Sequence, residues 1–300
     1  MKNRGSSSST TPVDAHIHSH FSDGSRSPKK LVGLLKKTGV KLAILTDHDT
    51  VAGTNEFLYY ADKAGITTFP GIEITASYGW CEVHILGYNI KYQLSSIETI
   101  LRSNIEARRK RLNDTLQILS ERRIIKTTEN EIANWHKYKG PVVSMLHAID
   151  FISHALKQDF QEVKKLFKRG GVAWTPLDIN SILTATEAVK LITEELGGIA
   201  VLAHPGKVLK AATYKEDQPG QNAWFFLTAL LNDLQQSGLR GIEAYHPKHS
   251  LIQQIDLAGL GAQIKLHCTA GSDFHGGKFK KTKTLGMYGM NVTDFLEIIR

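Results

Sequence analysis

The chain is 300 residues long, carries a formal net charge of +8 and is 41% hydrophobic. That length permits one large α/β unit or two domains, and the apolar content excludes a disordered or fibrous chain. The positive balance favours anionic partners such as nucleotides or RNA, and no apolar run approaches the roughly 18 residues of a membrane-spanning helix.

Residues 1–11 are Ser/Thr-rich, with Lys2 and Arg4. They read as a disordered tail without the apolar core of a secretory signal, a very short targeting leader being the alternative. The run from Val13 to Gly24 then opens as an apolar strand and becomes a cluster of ligand-type side chains. Residues two apart on a strand point the same way, so His16 and His18 share a face, with Asp14 and His20 in the same row. Asp23 follows in a Ser-Asp-Gly turn and folds back toward that face. Imidazoles and a carboxylate converging at a strand end suit a divalent metal.

Ser27-Pro28 starts a helix over Lys29–Thr38 that Gly39 ends. A strand to His48 follows, then a helix over Asn55–Lys63 stopped by Gly65. Further strands are expected near Ile66–Phe69, Ile72–Ser77 and Cys81–Ile90. Strand, helix and strand in repetition is the pattern of a parallel α/β barrel or sheet. From Ser95 to Asp178 the rhythm changes to helices, at Ile97–Ile124, Glu129–Trp135, Val142–Leu156 and Asp159–Phe167. This stretch, 95–178, reads as a helical insertion that caps the barrel mouth, with the barrel itself in 12–94 and 179–300. A helix over Thr184–Leu196 leads into a strand ending at His204; the helix Asn222–Gln236, the strand Gly241–Tyr245 and the helix His249–Leu257 follow, and a last strand leads to Asp273 and His275.

Six strand ends thus deliver a His, Asp or Glu, which random placement of 13 histidines rarely achieves. In order, they read H-x-H-x-x-x-S-D-G (16–24), T-D-H (46–48), G-I-E (71–73), H-I-L-G (84–87), A-H-P (203–205) and G-S-D-F-H (271–275). This series resembles the PHP superfamily of metal-dependent phosphoesterases. Within it, the chain is most similar to the bacterial 3′,5′-nucleotide bisphosphate phosphatase and 5′→3′ exoribonuclease group, from about residue 13 to the C-terminus.

The resemblance implies a distorted (β/α)7 barrel with an inserted helical cap. It nominates His16, His18, Asp23, His48, Glu73, His84, His204, Asp273 and His275 as metal ligands. That many ligands suit two to three ions, with Glu73 as a bridge because a carboxylate offers two oxygens. Mixed imidazole and carboxylate ligands suit manganese, iron or zinc, with manganese placed first. A hydroxide between two such ions is a nucleophile at neutral pH and attacks phosphorus without a covalent enzyme intermediate. Asp14, Asp47 and Asp49, beside ligands, are expected to orient imidazoles or cap helices, and His20 to stand behind a ligand or face solvent.

The basic run Glu106–Leu112 carries Arg108 and Arg111, which match the R-x-x-R of the family's cap; at i and i+3 they share a helix face and reach one phosphate. The segment Glu243–His249 is similar to the family's E-x-Y-x-x-x-H, which makes His249 a substrate contact or proton donor and Tyr245 a weaker contact. His147 matches the histidine of the family's S-R-P-H, but the arginine position is Met145. The expected activity is hydrolysis of nucleoside 3′,5′-bisphosphates or short 5′-phosphorylated RNA. The alternatives are a small-molecule phosphatase such as histidinol-phosphate phosphatase and a non-catalytic nucleic-acid-binding module. Cys81 and Cys268 form no motif and read as reduced thiols of a cytoplasmic enzyme.

Overall fold

The computed structural model describes residues 13–93, 97–213, 223–277, 285–286 and 290–299; the Ser/Thr-rich tail lies outside them. The chain opens with β1 (Val13–Ile17), α1 (Pro28–Thr38), β2 (Leu42–Leu45) and α2 (Thr54–Ala64). The Ser27 hydroxyl caps α1 by accepting from Lys30 N, and Gly39 closes it in the left-handed conformation at φ 78°. Two long strands follow, β3 (Gly71–Tyr78) and β4 (Cys81–Tyr88). The segment 66–69 forms only a single bridge, Leu42 with Thr67, and not the strand its apolar residues suggest.

The helical stretch comprises α3 (Ile97–Ile100), α4 (Arg102–Glu121), α5 (Glu129–His136), α6 (Met145–Leu156) and α7 (Phe160–Leu166). The expected helix over Val142–Leu156 begins at Met145, because the Ser144 hydroxyl caps it by accepting from His147 N. Leu112, Leu116 and Leu119 of α4 join Ile132, Ile149, Ile152 and Val163 in a hydrophobic cluster drawn wholly from this stretch.

The remaining elements are α8 (Ala185–Lys190), which runs on as a π-helical turn to Glu195, β5 (Ile199–Leu202), α9 (Pro205–Thr213), α10 (Ala223–Gln236), β6 (Leu239–Tyr245), α11 (Leu251–Gln263), β7 (His267–Ala270) and α12 (Val292–Ile299). The sequence pattern alone does not reveal α9 and α12.

β1 and β2 form a parallel pair, and β3 to β7 a five-stranded sheet in chain order. β3–β4 and β4–β5 are antiparallel, whereas β5–β6 and β6–β7 are parallel. Side chains alternate across the strands. Leu42, Ile44, Leu86, Tyr88 and Val201 turn into a core between the two sheets. Ala43 and Leu45 turn outward under α1 and α2, and Ile72, Ile74, Ile85 and Leu202 outward under α8, α10 and α11. Single bridges, Ile17 with Phe274 and His48 with Glu73, link the sheets at the strand ends. The fold is mixed α/β, and no closed ladder around a barrel forms among the described residues.

Candidate metal centre and phosphate cleft

The nine residues nominated from the motifs come together. They fall into four overlapping groups: His18, Asp23, His48 and His275; His16, His18 and Asp273; His16, Glu73 and His204; His48, Glu73 and His84. Within each group the ligand atoms lie within 4.8 Å of one another.

Glu73 is the hub. Its Oε2 stands 3.1 Å from Nε2 of His16, Nε2 of His18 and Nδ1 of His48. Its Oε1 is 2.7 Å from His84 Nδ1 and 3.0 Å from His204 Nε2. The register explains the pairing with His84. Thr75 lies opposite His84 on the antiparallel β3–β4 ladder, so Glu73, two residues earlier, shares that face. Asp23 closes the far side, with Oδ1 2.9 Å from His275 Nε2. Burial by itself would raise the Glu73 carboxyl. The imidazoles of His48, His16 and His84 hold it well below the usual range.

The donor set fits divalent cations. His16 and His18 present Nε2 to Nε2 at 3.0 Å, a contact in which only one nitrogen can carry a proton. His18 Nδ1, His48 Nδ1 and Glu73 Oε2 are buried without an aligned hydrogen bond. Orphaned buried ligand atoms of this kind are costly unless a cation satisfies them. Three residues at the strand ends hold left-handed backbones: Asp49 (φ 52°), His204 (φ 30°) and Asp273 (φ 52°). Strain of this kind gathers at functional positions.

The residues around the ligands differ from expectation. Asp14, Asp47 and Asp49 bind no imidazole. Asp14 accepts from the backbone N–H groups of Ser272 and Gly286, and its carboxyl is pushed up to about 6 by burial. Asp47 accepts from Ser19 N, Ser19 Oγ and Ser22 Oγ, and so pins the loop that carries Asp23. Asp49 accepts from Thr75 N, Asn104 Nδ2 and Arg108 Nε. His20 leaves the ligand row; it is partly buried, edge-on to Phe21. The carboxylates that do hold imidazoles are Glu243 and Glu82, for which the sequence suggested no role. Glu243 accepts from His16 Nδ1 at 2.9 Å and from His204 N at 2.7 Å. Glu82 meets His84 Nε2 at 3.0 Å, and its carboxyl, which burial would raise, is drawn down to about 2, first by that hydrogen bond. The i, i+2 spacing of Glu82 and His84 on one strand was the available signal. At Gly271 a Cβ would sit 2.3 Å from His16 Cβ and 2.4 Å from Glu243 Oε1, so only glycine lets β7 pass this close.

Beside Asp23 and His48 opens a small cleft. Arg108, Arg111 and Ser144 supply polar lining, and Phe21, Leu112, Tyr138, Val142 and Met145 apolar lining. Both arginines turn inward, and the run is not a uniformly solvated face: Lys110, exposed, pairs with Asp114 instead. Arg108 is clamped by Asp49 at 2.7 Å and by the Thr75 hydroxyl. Arg111 donates Nε to Thr175 O at 2.9 Å. Burial lowers its pKa, Glu82 opposes that, and the like charge of Arg108 adds to it. Two guanidiniums lining one cleft favour an anion there.

Three nominated contacts sit elsewhere. His147 is buried, hydrogen-bonded to Ser144 Oγ at 2.9 Å and to the backbone of Gly24. It fastens the helical stretch to the metal loop and does not line the cleft. His249 donates from one ring nitrogen to Ala244 O at 2.9 Å and accepts with the other from Gly206 N at 3.0 Å. As placed, it has no nitrogen for a substrate proton. A Cβ on Gly206 would come 2.7 Å from that Nε2, so the contact requires glycine. Tyr245 packs against the two core clusters. Its neighbour His246, which the motif passed over, is buried with Nε2 3.8 Å from Asp273.

Comparisons with known proteins identify the family. The PHP domain family model matches residues 14–175, more than half of the chain. The phosphoribosyl 1,2-cyclic phosphate 1,2-diphosphodiesterase of Eggerthella lenta is 30% identical over 280 residues, spanning 91% of this chain and 97% of that relative. A 5′-3′ exoribonuclease of Haemophilus influenzae is 28% identical over 268 residues, spanning 89% of this chain and 90% of that one. A solved amidohydrolase of Chromobacterium violaceum with bound sulfate superimposes with a TM-score of 0.77 at 25% identity, covering 96% of this chain and 95% of that one. With the nominated residues gathered around one buried carboxylate and the family model matching the first four motifs, this chain belongs to the PHP domain family of metal-dependent phosphoesterases.

Proposed function

We propose that this enzyme hydrolyses phosphate esters of nucleotides, nucleoside 3′,5′-bisphosphates and short 5′-phosphorylated RNA, at a centre of two to three divalent ions held by the nine residues around Glu73. The observation that carries this reading is the arginine-lined cleft beside Asp23 and His48. A substrate whose scissile phosphate sits among the histidines has room there for a second phosphate, and the apolar walls suit a base or sugar. The linkage bridges and the two core faces support reading the sheets as arcs of a distorted (β/α)7 barrel, with 95–178 as its cap.

Divalent ions in this centre supply water activation and neutralise phosphoryl oxygens. The protein does the positioning. Glu243 accepts a hydrogen bond from His16 Nδ1–H, which leaves Nε2 toward Glu73. Glu82 takes His84 Nε2 in the same way and leaves Nδ1 for the cluster. Asp49 and the Thr75 hydroxyl hold Arg108 in place in the cleft wall. Arg111, anchored through Nε by Thr175 O, lines the same cleft. Preset donors of this kind cost no reorganisation during phosphoryl transfer. A phenotype of Met145 follows too: where relatives carry an arginine, this cleft has an apolar wall, so its anion grip rests on Arg108 and Arg111.

The deciding experiment is a product-release panel with manganese: a nucleoside 3′,5′-bisphosphate, a short 5′-phosphorylated RNA and histidinol phosphate. Preference for the first two supports the reading. Preference for histidinol phosphate overturns it in favour of a small-molecule phosphatase.

A further inference from the structure

The turn from β6 into α11 stands beside Asp273, and its shape is fixed by its own hydrogen bonds. His249 N donates to His246 O at 3.0 Å, and the His249 ring is held between Ala244 O and Gly206 N. The rings of His246 and His249 pack with centroids 5.1 Å apart, and His246 meets the ring of His204 edge-on at 5.9 Å. His246 is thereby fully buried at a set angle.

Its tautomer is set as well. The backbone N–H of Lys248 donates to His246 Nδ1 at 3.1 Å. A ring nitrogen that accepts carries no hydrogen, so the ring's own hydrogen is on Nε2. That Nε2–H is buried and finds no aligned hydrogen bond among the described residues. It faces Oδ2 of Asp273 at 3.8 Å. A buried donor is costly until an acceptor takes it.

Asp273 is a carboxylate that needs orienting. Its backbone is left-handed at φ 52°, with N donating to His16 O and the carbonyl accepting from His275 Nδ1. Those bonds fix the main chain and leave the carboxylate to turn about its own side-chain bonds. Oδ1 lies 3.4 Å from His18 Nε2 and 3.8 Å from His16 Nε2, and these three residues form one of the four ligand groups. Oδ2 meets Lys248 Nζ at 2.8 Å. Lys248 supplies charge there, but its side chain is 45% exposed and its ammonium is a point charge on a flexible stem. Direction has to come from a rigid donor, and the packed ring of His246 is one.

We propose that His246 is a positioning residue of the metal centre: its Nε2–H, with Lys248 beside it, holds Oδ2 of Asp273, so that Oδ1 is the oxygen presented with His16 and His18 to a divalent cation. This rests on the metal centre proposed above and not on the choice of substrate. It gives Asp273 the kind of partner that Glu243 gives His16.

The test replaces the ring by two amides in the full chain. The amide nitrogen of His246→Gln reaches the place of Nε2 and donates there. The shorter side chain of His246→Asn keeps an acceptor for Lys248 N but has no donor at that place. Manganese titration of the metal-stripped proteins, followed by elemental analysis, should show one ion bound about tenfold more weakly in the Asn variant, and within about threefold of wild type in the Gln variant. In excess manganese the Asn variant should lose about tenfold in kcat at unchanged KM, because the cleft arginines are untouched. The visible absorption of the cobalt-loaded protein, which reports ligand geometry, should change in the Asn variant and not in the Gln variant. Wild-type metal affinity in the Asn variant overturns the role of His246. So do equal losses in both variants that follow their melting temperatures, since the ring would then serve packing alone. A wild type that takes up no ion overturns the centre and this role with it. A loaded wild type that cleaves no nucleotide substrate refutes only the substrate reading, and kcat is then read on an aryl phosphate.

Discussion

Glu243 accepts a hydrogen bond from Nδ1 of His16 at 2.9 Å, with both side chains fully buried. The contact fixes which nitrogen of His16 carries the proton, and so which one is free for a cation. Glu243→Gln keeps the shape but replaces an anionic acceptor with an amide. We expect metal affinity to fall by about 10- to 100-fold, the usual effect of losing such a partner. Metal content after dialysis against graded chelator checks this; wild-type retention would show that the His16 tautomer is set by other contacts.

Glu73 meets five imidazoles through its two oxygens. Glu73→Gln should remove at least one ion from the two to three expected and cut turnover by orders of magnitude. The fold should persist, because the core between the sheets is built from Leu42, Ile44, Leu86 and Val201. Elemental analysis beside circular dichroism separates the two effects. Full metal content with near-normal turnover would remove Glu73 from the centre.

Arg108 and Arg111 differ in what holds them. Arg108 is tied to the buried Asp49, whereas Arg111 donates Nε to a backbone carbonyl. Arg111→Ala should therefore reduce kcat/KM on a two-phosphate substrate by about tenfold to a hundredfold, a charge-assisted contact being worth about 1.5–3 kcal/mol. An aryl phosphate should lose much less. Arg108→Ala should in addition destabilise the protein, because it leaves the Asp49 charge buried beside Thr75 and Asn104. Thermal melts and kcat/KM on both substrates test the pair. Equal losses on the two substrates would place the arginines at the scissile phosphate.

His147 supplies a pH dependence. Burial drives its pKa down to about 3 from the ordinary 6.5, with His136 adding to the effect. The folded protein keeps it neutral while the unfolded chain protonates it, so its contribution to stability is lost as pH falls below about 6.5. At pH 5 the loss is about 2 kcal/mol, one and a half pH units at 1.36 kcal/mol each. The measurement is the gap in unfolding free energy between wild type and His147→Gln, at pH 7.5 and at pH 5; taking the gap cancels titration of the metal ligands. Parallel stability curves would mean that the ring is protonated in the folded state.

The nine nominated residues were legible as a set because their motifs, in order, match a family series, and the structure brings them together. Local caps were legible because Ser27, Pro28 and Gly39 act on neighbours within one turn. Helix α9 was hidden because it begins directly after the His204-Pro205 strand end, where the chain reads as a loop.

What the sequence by itself determined is which side chains gather around Glu73: period two puts His16 and His18 on one face, and the motif resemblance names the rest. What only the tertiary structure decided is who holds those side chains. Glu243 lies 227 residues from His16, and Asp49 lies 59 from Arg108. No local pattern encodes such a pairing. It arises when parallel strands and a packed helix bring distant carboxylates to histidines and arginines in a buried space where each polar atom must find a partner. The same closure turned His147 and His249 from expected substrate contacts into braces, because the backbone of Gly24, Ala244 and Gly206 reached their nitrogens first.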